Sequence, residues 1–268
     1  MSIWSIPNRF SVGLFAVFAA LSAGVIAQPA NENSASIGSL PQSSAVSKER
    51  SWKLITDRDG IQVYRAHTDD SPIKTFRGEA DISLEDFRSL GTIMDDYDFV
   101  AEWMHMISEI KGVSRPSPFD RTVWLSTRLP WPVKDRDSIL HVSLEQDPNT
   151  FALRMPFENV SAKGTEKEGY VRIPRMEGYL EFVPIEPGRI HLTIEVILDP
   201  GGYLPAWLAN LILRDIPYFS LKRFRAVANT ERYQGIDLGY YQIPPNWPGA
   251  QPVAISTSAS NAPSAPNR

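Results

Sequence analysis

Two hydrophobic rhythms run through this chain. Four segments repeat with period two, the spacing of strands that have one buried and one wetted face. Between Lys74 and Ile82, Phe76, Gly78, Ala80 and Ile82 share one side and Thr75, Arg77, Glu79 and Asp81 the other. Farther along, Leu140, Val142 and Leu144 oppose Ile139, His141, Ser143 and Glu145. Gly178, Leu180 and Phe182 then oppose Glu177, Tyr179 and Glu181. The longest run sets Ile190, Leu192, Ile194, Val196 and Leu198 against Arg189, His191, Thr193, Glu195 and Ile197. Shorter apolar runs predict further strands at residues 54–56, 61–66, 107–113, 122–127 and 151–155. Strand after strand with one apolar face predicts an antiparallel sheet packed on one side only.

The second rhythm is helical. Ser83 fits an N-cap, Asp86 sits at the third helical position, and Leu84, Phe87, Leu90 and Met94 follow at helical spacing. Residues 204–233 carry Leu208, Leu211, Ile212, Phe219 and Phe224 on a broad stripe. Pro205 is tolerated in the first turn, whereas Pro217 is expected to kink or divide the helix. Strands closed by one long C-terminal helix predict an α+β fold with the sheet curved around that helix. Within the sheet, Pro130-Trp131-Pro132 tips a loop between two strands, and Asp199-Pro200-Gly201-Gly202-Tyr203-Leu204-Pro205 leads into the helix. A cup with a lid and a plug suits holding an oily molecule better than doing chemistry on one.

The ends read differently. Arg9 precedes an apolar run from Val12 to Ile26, and Val25-Ile26-Ala27 offers a cleavage site before Gln28, so residues 1–27 are expected to be an export signal. The run is shorter than the ~20 residues of a spanning helix, which makes an uncleaved membrane anchor the weaker alternative. Residues 28–47 are rich in Ser, Asn, Ala and Pro and read as a flexible linker, and residues 244–268 as a disordered Pro/Ser/Ala-rich tail. One domain, residues 48–243, remains. The chain has no cysteine, which excludes disulfides, a thiol nucleophile and a lipidated N-terminal cysteine. A net charge of −4 argues against nucleic acid as a partner. The expected compartment is outside the cytoplasm, periplasmic or secreted.

Chemistry-bearing patterns are sparse. His67, His105, His141 and His191 are scattered without ligand spacing, so neither a metal nor another cofactor is expected. No nucleophile elbow, phosphate loop or dinucleotide fingerprint occurs. Arg136 shares strand parity with Leu140 and Val142 and reads as an inward arginine, paired with Asp135 or another acid, or alternatively holding an anionic head group. Asp137 is expected to face outward or to satisfy the turn. No heptad seam points to an oligomer.

Four stretches together resemble the START (StAR-related lipid transfer) domain family of the helix-grip, Bet v 1-like superfamily. They are Trp52 with Asp59-Gly60-Ile61-Gln62-Val63-Tyr64, Glu102-Trp103 ahead of residues 107–110, Pro132 to Asp137, and Asp199 to Trp207. They span about residues 52–233. The resemblance implies a curved sheet gripping the C-terminal helix, a hydrophobic tunnel between them, and a gate formed by residues 127–133 with the helix. The ligand-binding residues it implies are Leu129, Trp131 and Arg136 at the gate. Leu140, Val142, Leu180, Phe182, Leu192 and Ile194 are expected from the strands, and Leu208, Leu211, Ile212, Ile216 and Phe219 from the helix. Sterol-binding members carry an acid and an arginine facing each other beside this loop; here Val123 to Leu125 and Val142 stand there, which weakens a sterol assignment. Trp124, Tyr170 and Tyr179 are available for an aromatic cage. The function implied is binding and carrying a lipid or other hydrophobe, with transient membrane contact. Alternatives are a cyclase- or hydratase-type enzyme, which would need Tyr179 and Glu181 turned inward, and an interaction module without a ligand.

Overall fold

The structure, a computed structural model, describes residues 50–68, 71–160 and 167–248. The expected leader and linker and most of the expected tail lie outside them. Eleven strands form one sheet: β1 (Lys53–Arg58), β2 (Ile61–Ala66), β3 (Thr75–Ser83), β4 (Ile107–Ser117), β5 (Asp120–Thr127), β6 (Arg136–Ser143), β7 (Glu145–Gln146), β8 (Leu153–Asn159), β9 (Val171–Arg172), β10 (Arg175–Glu186) and β11 (Arg189–Asp199). The main path runs β1-β2-β3-β11-β10-β8-β6-β5-β4, antiparallel throughout, with short β7 on β8 and parallel β9 on β6. Helices α1 (Ser89–Asp95) and α2 (Tyr97–Trp103) fill the connection from β3 to β4, and α3 (Ala206–Val227) packs against β2, β3 and β11.

The period-two segments are strands with the expected parity: Phe76, Gly78, Ala80 and Ile82 are buried toward α3, as are Ile190, Leu192, Ile194, Val196 and Leu198. The fold is therefore α+β, a curved antiparallel sheet around a C-terminal helix. Gly78 sets how closely the helix approaches. A Cβ there would lie 2.6 Å from Cβ of Pro217 and 2.8 Å from a methyl of Leu221. Pro217 does not divide α3, which continues through it from Ala206 to Val227. Its ring lies buried against the space the glycine leaves.

Three local expectations change. The first helix begins at Ser89 rather than after Ser83, because tertiary partners take the donors a cap would need. The Leu84 N–H donates to the Gly188 carbonyl at 2.8 Å, and the Glu85 N–H to Asn229 Oδ1 at 2.8 Å. A second short helix, α2, follows, with Asp96 as its N-cap accepting from the Phe99 N–H at 3.0 Å. The strand expected at 151–155 is shifted to Leu153–Asn159, since Asp147 draws the Asn149 and Thr150 N–H groups into a turn. Order also extends past the boundary set at residue 243: Trp247 is buried, and its indole donates to the Leu84 carbonyl at 3.1 Å. Proline content hides that anchor. No helix among the described residues is long and apolar enough to cross a membrane.

Candidate ligand-binding cavity

Because the inward face of the curved sheet is wider than one helix can cover, a cavity remains beside α3. It measures about 130 Å³, counted as space open to the centre of a water molecule, where one water needs ~10–15 Å³. The sheet contributes alternate residues: Val123 and Leu125 from β5, Leu140 and Val142 from β6, Met155 and Phe157 from β8. Met176 and Leu180 come from β10, and Ile194, Val196 and Leu198 from β11. The opposite wall is Val100 of α2, the corner Met104-His105-Met106, Ile107 and Ile110 of β4, and Ile216 of α3. Met94 completes a set in which five of the chain's six methionines, all but Met1, line this one space. Unbranched thioether side chains repack easily, so the wall can adapt to ligand shape.

Smaller spaces continue it at both ends. Toward the loop between β5 and β6, a space of about 30 Å³ is lined by Leu129, Arg136, Ile173, Leu204 and Ile212, and shares Met106, Thr127, Leu198 and Ile216 with the main cavity. At the other end a space of about 10 Å³ shares Met94, Arg121 and Met155 with it. Near the first, large apolar side chains face solvent: Trp131 is 93% exposed, Trp207 70%, and Tyr203 fully.

Arg121 and His105 stand at the cavity wall. Arg121, buried on β5, donates to Asp95 Oδ1 at 2.7 Å and to the Met94 carbonyl at 3.2 Å. Arg121 lines the cavity, and its acid comes from α1. His105 is half-buried against Phe219, ring centroids 4.9 Å apart. Burial and, after it, the Arg223 charge push its imidazole below the ordinary value, with Asp215 opposing; near neutrality it is uncharged.

The expected residues separate by place. Leu140, Val142, Leu180, Ile194 and Ile216 line the main cavity, and Leu129, Arg136 and Ile212 the space beneath the loop. Leu192 faces the same way but belongs to the solid core farther along the sheet, and Phe182, packed there against Phe224, lines only the small third space. On α3 the stripe is rotated from expectation. Ala209, Leu213, Pro217, Ser220, Leu221 and Phe224 point inward; Leu208 is only half-buried, Leu211 is exposed, and Phe219 turns to His105 and Tyr218. The helix is docked on Gly78 through Pro217 and Leu221, and that contact overrides the phase suggested by its largest residues. Trp131 lines none of the three spaces.

Among the described residues Arg136 has no acid partner. It donates to the carbonyls of Lys134, Pro200 (3.3 Å) and Gly201 (3.3 Å), binding the β5–β6 loop to the turn before α3. Burial lowers its pKa against the Asp135 charge; Asp135 instead accepts from the Leu129 N–H at 3.0 Å. Asp137 is buried rather than outward, accepting from Trp124 Nε1 and from Nε and one terminal nitrogen of Arg172, each at 2.9 Å. Burial alone would raise its pKa, but those bonds outweigh it and the carboxyl is lowered. Trp124 accordingly faces away from the cavity, as does Tyr179, whose hydroxyl donates to Glu195 at 3.2 Å. Tyr170 lies edge-on to Trp124, centroids 5.9 Å apart, so no aromatic cage forms inside.

The α2–β4 wall and Arg121 are not evident from the hydrophobic pattern. Asp96 as a cap before the Phe99, Val100 and Trp103 positions, and the grouping of Met94, Met104 and Met106 around them, are the signals the chain carries for them.

No protein-family model matches the chain. An uncharacterized protein of Pseudomonas aeruginosa is 31% identical over 180 residues, covering 66% of this chain and 86% of that protein. A crystal structure of a STAR-related lipid transfer protein from Xanthomonas axonopodis (fragment 25–204) is 28% identical with a TM-score of 0.61, covering 67% of this chain and 99% of that one. The phosphatidylcholine transfer protein of Mus musculus is 19% identical over 182 residues, 66% of this chain and 84% of that protein.

Proposed function

The chain belongs to the StAR-related lipid transfer (START) domain family, and on that premise we propose that it is an exported lipid carrier. The observation that carries this reading is the methionine-lined apolar cavity, sealed by α3 and continued toward a loop whose tryptophan stands in solvent. A lipid leaving a bilayer exposes methylenes worth roughly 0.8 kcal/mol each, and a dry apolar wall offsets that cost without any bond to a head group. In this reading Trp131, Tyr203 and Trp207 enter the interface region of a membrane, where amphipathic rings are favoured. Exposed Arg128 and Lys134 flank the tip, and each cation near an anionic surface is worth about 1 kcal/mol. The loop and the start of α3 then part, hydrocarbon slides past Leu129 and Ile212, and reclosure restores the wall.

The enzyme alternative requires Tyr179 and Glu181 inside. Leu180 lies between them on the cavity side, Tyr179 binds Glu195 on the other face, and Glu181 pairs with Arg154 at 2.8 Å. Carriage is therefore the reading we adopt.

Native mass spectrometry after incubation with vesicles of mixed phosphatidylethanolamine and phosphatidylglycerol tests it. One lipid retained per protein molecule is the expected result; protein that stays empty, and that also retains nothing on gentle purification, overturns it. Export is tested by intact mass. A mature chain beginning at Gln28 is expected, and retention of residues 1–27 on a membrane fraction would favour the anchored form.

A further inference from the structure

The far end of the cavity is closed by chain that follows the helix. Residues 228–248 turn back as a strap across α1. The Gly235 N–H donates to Asp86 Oδ2 at 2.6 Å, and Gln242 exchanges backbone hydrogen bonds with the Gln146 side chain, both at 2.7 Å. Trp247 meets Phe87 edge to face with ring centroids 5.1 Å apart. The Tyr241 hydroxyl accepts from the Gly91 N–H at 2.9 Å and donates to the Arg88 carbonyl at 2.7 Å. The Tyr240 hydroxyl donates to Asp95 at 3.3 Å, the carboxylate that also holds Arg121.

Gly91 admits this seat. A Cβ at that position would lie 2.7 Å from a ring carbon of Tyr241 and 2.9 Å from the Tyr240 hydroxyl. The two tyrosines in turn form the outer wall of the third space, about 10 Å³, room for roughly one water. Between it and the main cavity stand Met94, Met155 and Arg121, which line both. Two of those three are methionines, free to change rotamer. Hydrocarbon pushing inward from the mouth thus meets a soft partition, and behind it a tyrosine wall pinned by the hydrogen-bonded and stacked contacts of the strap.

We propose that the strap is a chain-length ruler: Tyr240 and Tyr241, behind the Met94–Met155 partition, fix how long a hydrocarbon the cavity accepts. This rests on the lipid-carrier reading and adds the residues that set its specificity. Removing both rings takes away the outer wall and lengthens the space behind the movable methionine partition, whereas enlarging Met155 closes the partition from inside. The two changes act in opposite directions on the same quantity.

The test uses the full chain and a series of saturated fatty acids of increasing length, offered in competition and read by native mass spectrometry. The unaltered protein is expected to gain about fourfold in affinity per added methylene up to one preferred length and nothing beyond it. Tyr240→Ala/Tyr241→Ala moves that length upward, and Met155→Phe moves it downward. Either shift alone supports the ruler, so a failure of one variant to fold leaves the other decisive. A preferred length unchanged in whichever variants fold overturns the ruler while carriage stands. An unaltered protein that takes no member of the series and no vesicle lipid overturns carriage, and the ruler with it.

Discussion

The two ends of the cavity are built on opposite principles. At the mouth, Trp131, Tyr203 and Trp207 stand in water, and the loop and turn are joined by Arg136 donating to carbonyls. At the far end Trp103, Phe87, Phe182 and Phe224 are buried almost completely, and Trp103 meets Phe224 edge to face at 4.9 Å. Aromatics are thus spent on solvent at one end and on core at the other, with mostly aliphatic residues and methionines between. A uniformly packed interior would be more stable, because empty space forfeits dispersion contacts. The solid end anchors a half that is left underfilled, and in the carrier reading the underfilled half is the one that opens.

The largest test of that contrast is a pair of truncations. Trp103→Ala removes a fully buried ring from the solid end and is expected to cost about 4 kcal/mol. Leu125→Ala at the cavity wall already faces unfilled space and is expected to cost about 2 kcal/mol. Urea unfolding measures both; equal losses would mean the two halves are packed alike.

Next comes the ion pair at the boundary. Asp95→Ala leaves Arg121, which is 3% exposed, without its carboxylate, and is expected to cost about 3 kcal/mol. Arg121→Met added to it should recover most of the loss, because the unpaired charge is gone. Failure of the double variant to recover would show that Asp95 acts through Arg115 and Tyr240 rather than through Arg121.

Smaller effects follow from pH. Burial, with the Asp95 charge, pushes Tyr240 up to about 12. A raised folded-state value means that its stabilisation is complete below the ordinary tyrosine value of about 10 and is lost as pH rises from there through 12. His105 has the opposite sign. Its lowered value leaves stability intact above about 6.5, with loss as pH falls below it and the unfolded chain binds the proton first. Denaturation midpoints across pH should therefore fall at both extremes. Tyr240→Phe should flatten only the alkaline limb, and His105→Gln only the acidic one.

How far the sequence discloses this arrangement depends on what each signal measures. Period-two alternation records which face of a strand is dry, so the residue pattern alone places Leu140, Val142, Leu180 and Ile194 inward. It does not record whether a dry face meets a ring or a void: Leu192, inward by the same pattern, belongs to solid core, and Phe182 reaches only the small third space. The stripe on α3 fails for a different reason. Helix phase is set by the contact of Pro217 and Leu221 with Gly78, a pairing about 140 residues apart in sequence, invisible to a local window. Trp247 and the strap are hidden by composition, since a proline-rich stretch looks unable to pack until its one anchoring ring finds a slot.

The smallest effect on stability belongs to Trp131, and it bears most directly on the mouth. A side chain 93% exposed contributes little to the fold, so Trp131→Ala should change unfolding free energy by less than about 0.5 kcal/mol. If the exposed rings serve membrane contact, the variant should nonetheless slow lipid pickup from vesicles, and slow it more than it weakens equilibrium binding, because the cavity wall is untouched. Trp207→Ala, on the neighbouring first turn of α3, should act in the same direction and add to it. Transfer followed by fluorescence from labelled donor to acceptor vesicles measures the rate, and native mass spectrometry the bound fraction. Equal loss in both would assign Trp131 to holding the ligand; loss in neither would leave the three exposed rings without a part in exchange. The expected split, a kinetic defect on an unchanged fold, is what separates a surface kept for contact from a core kept for stability.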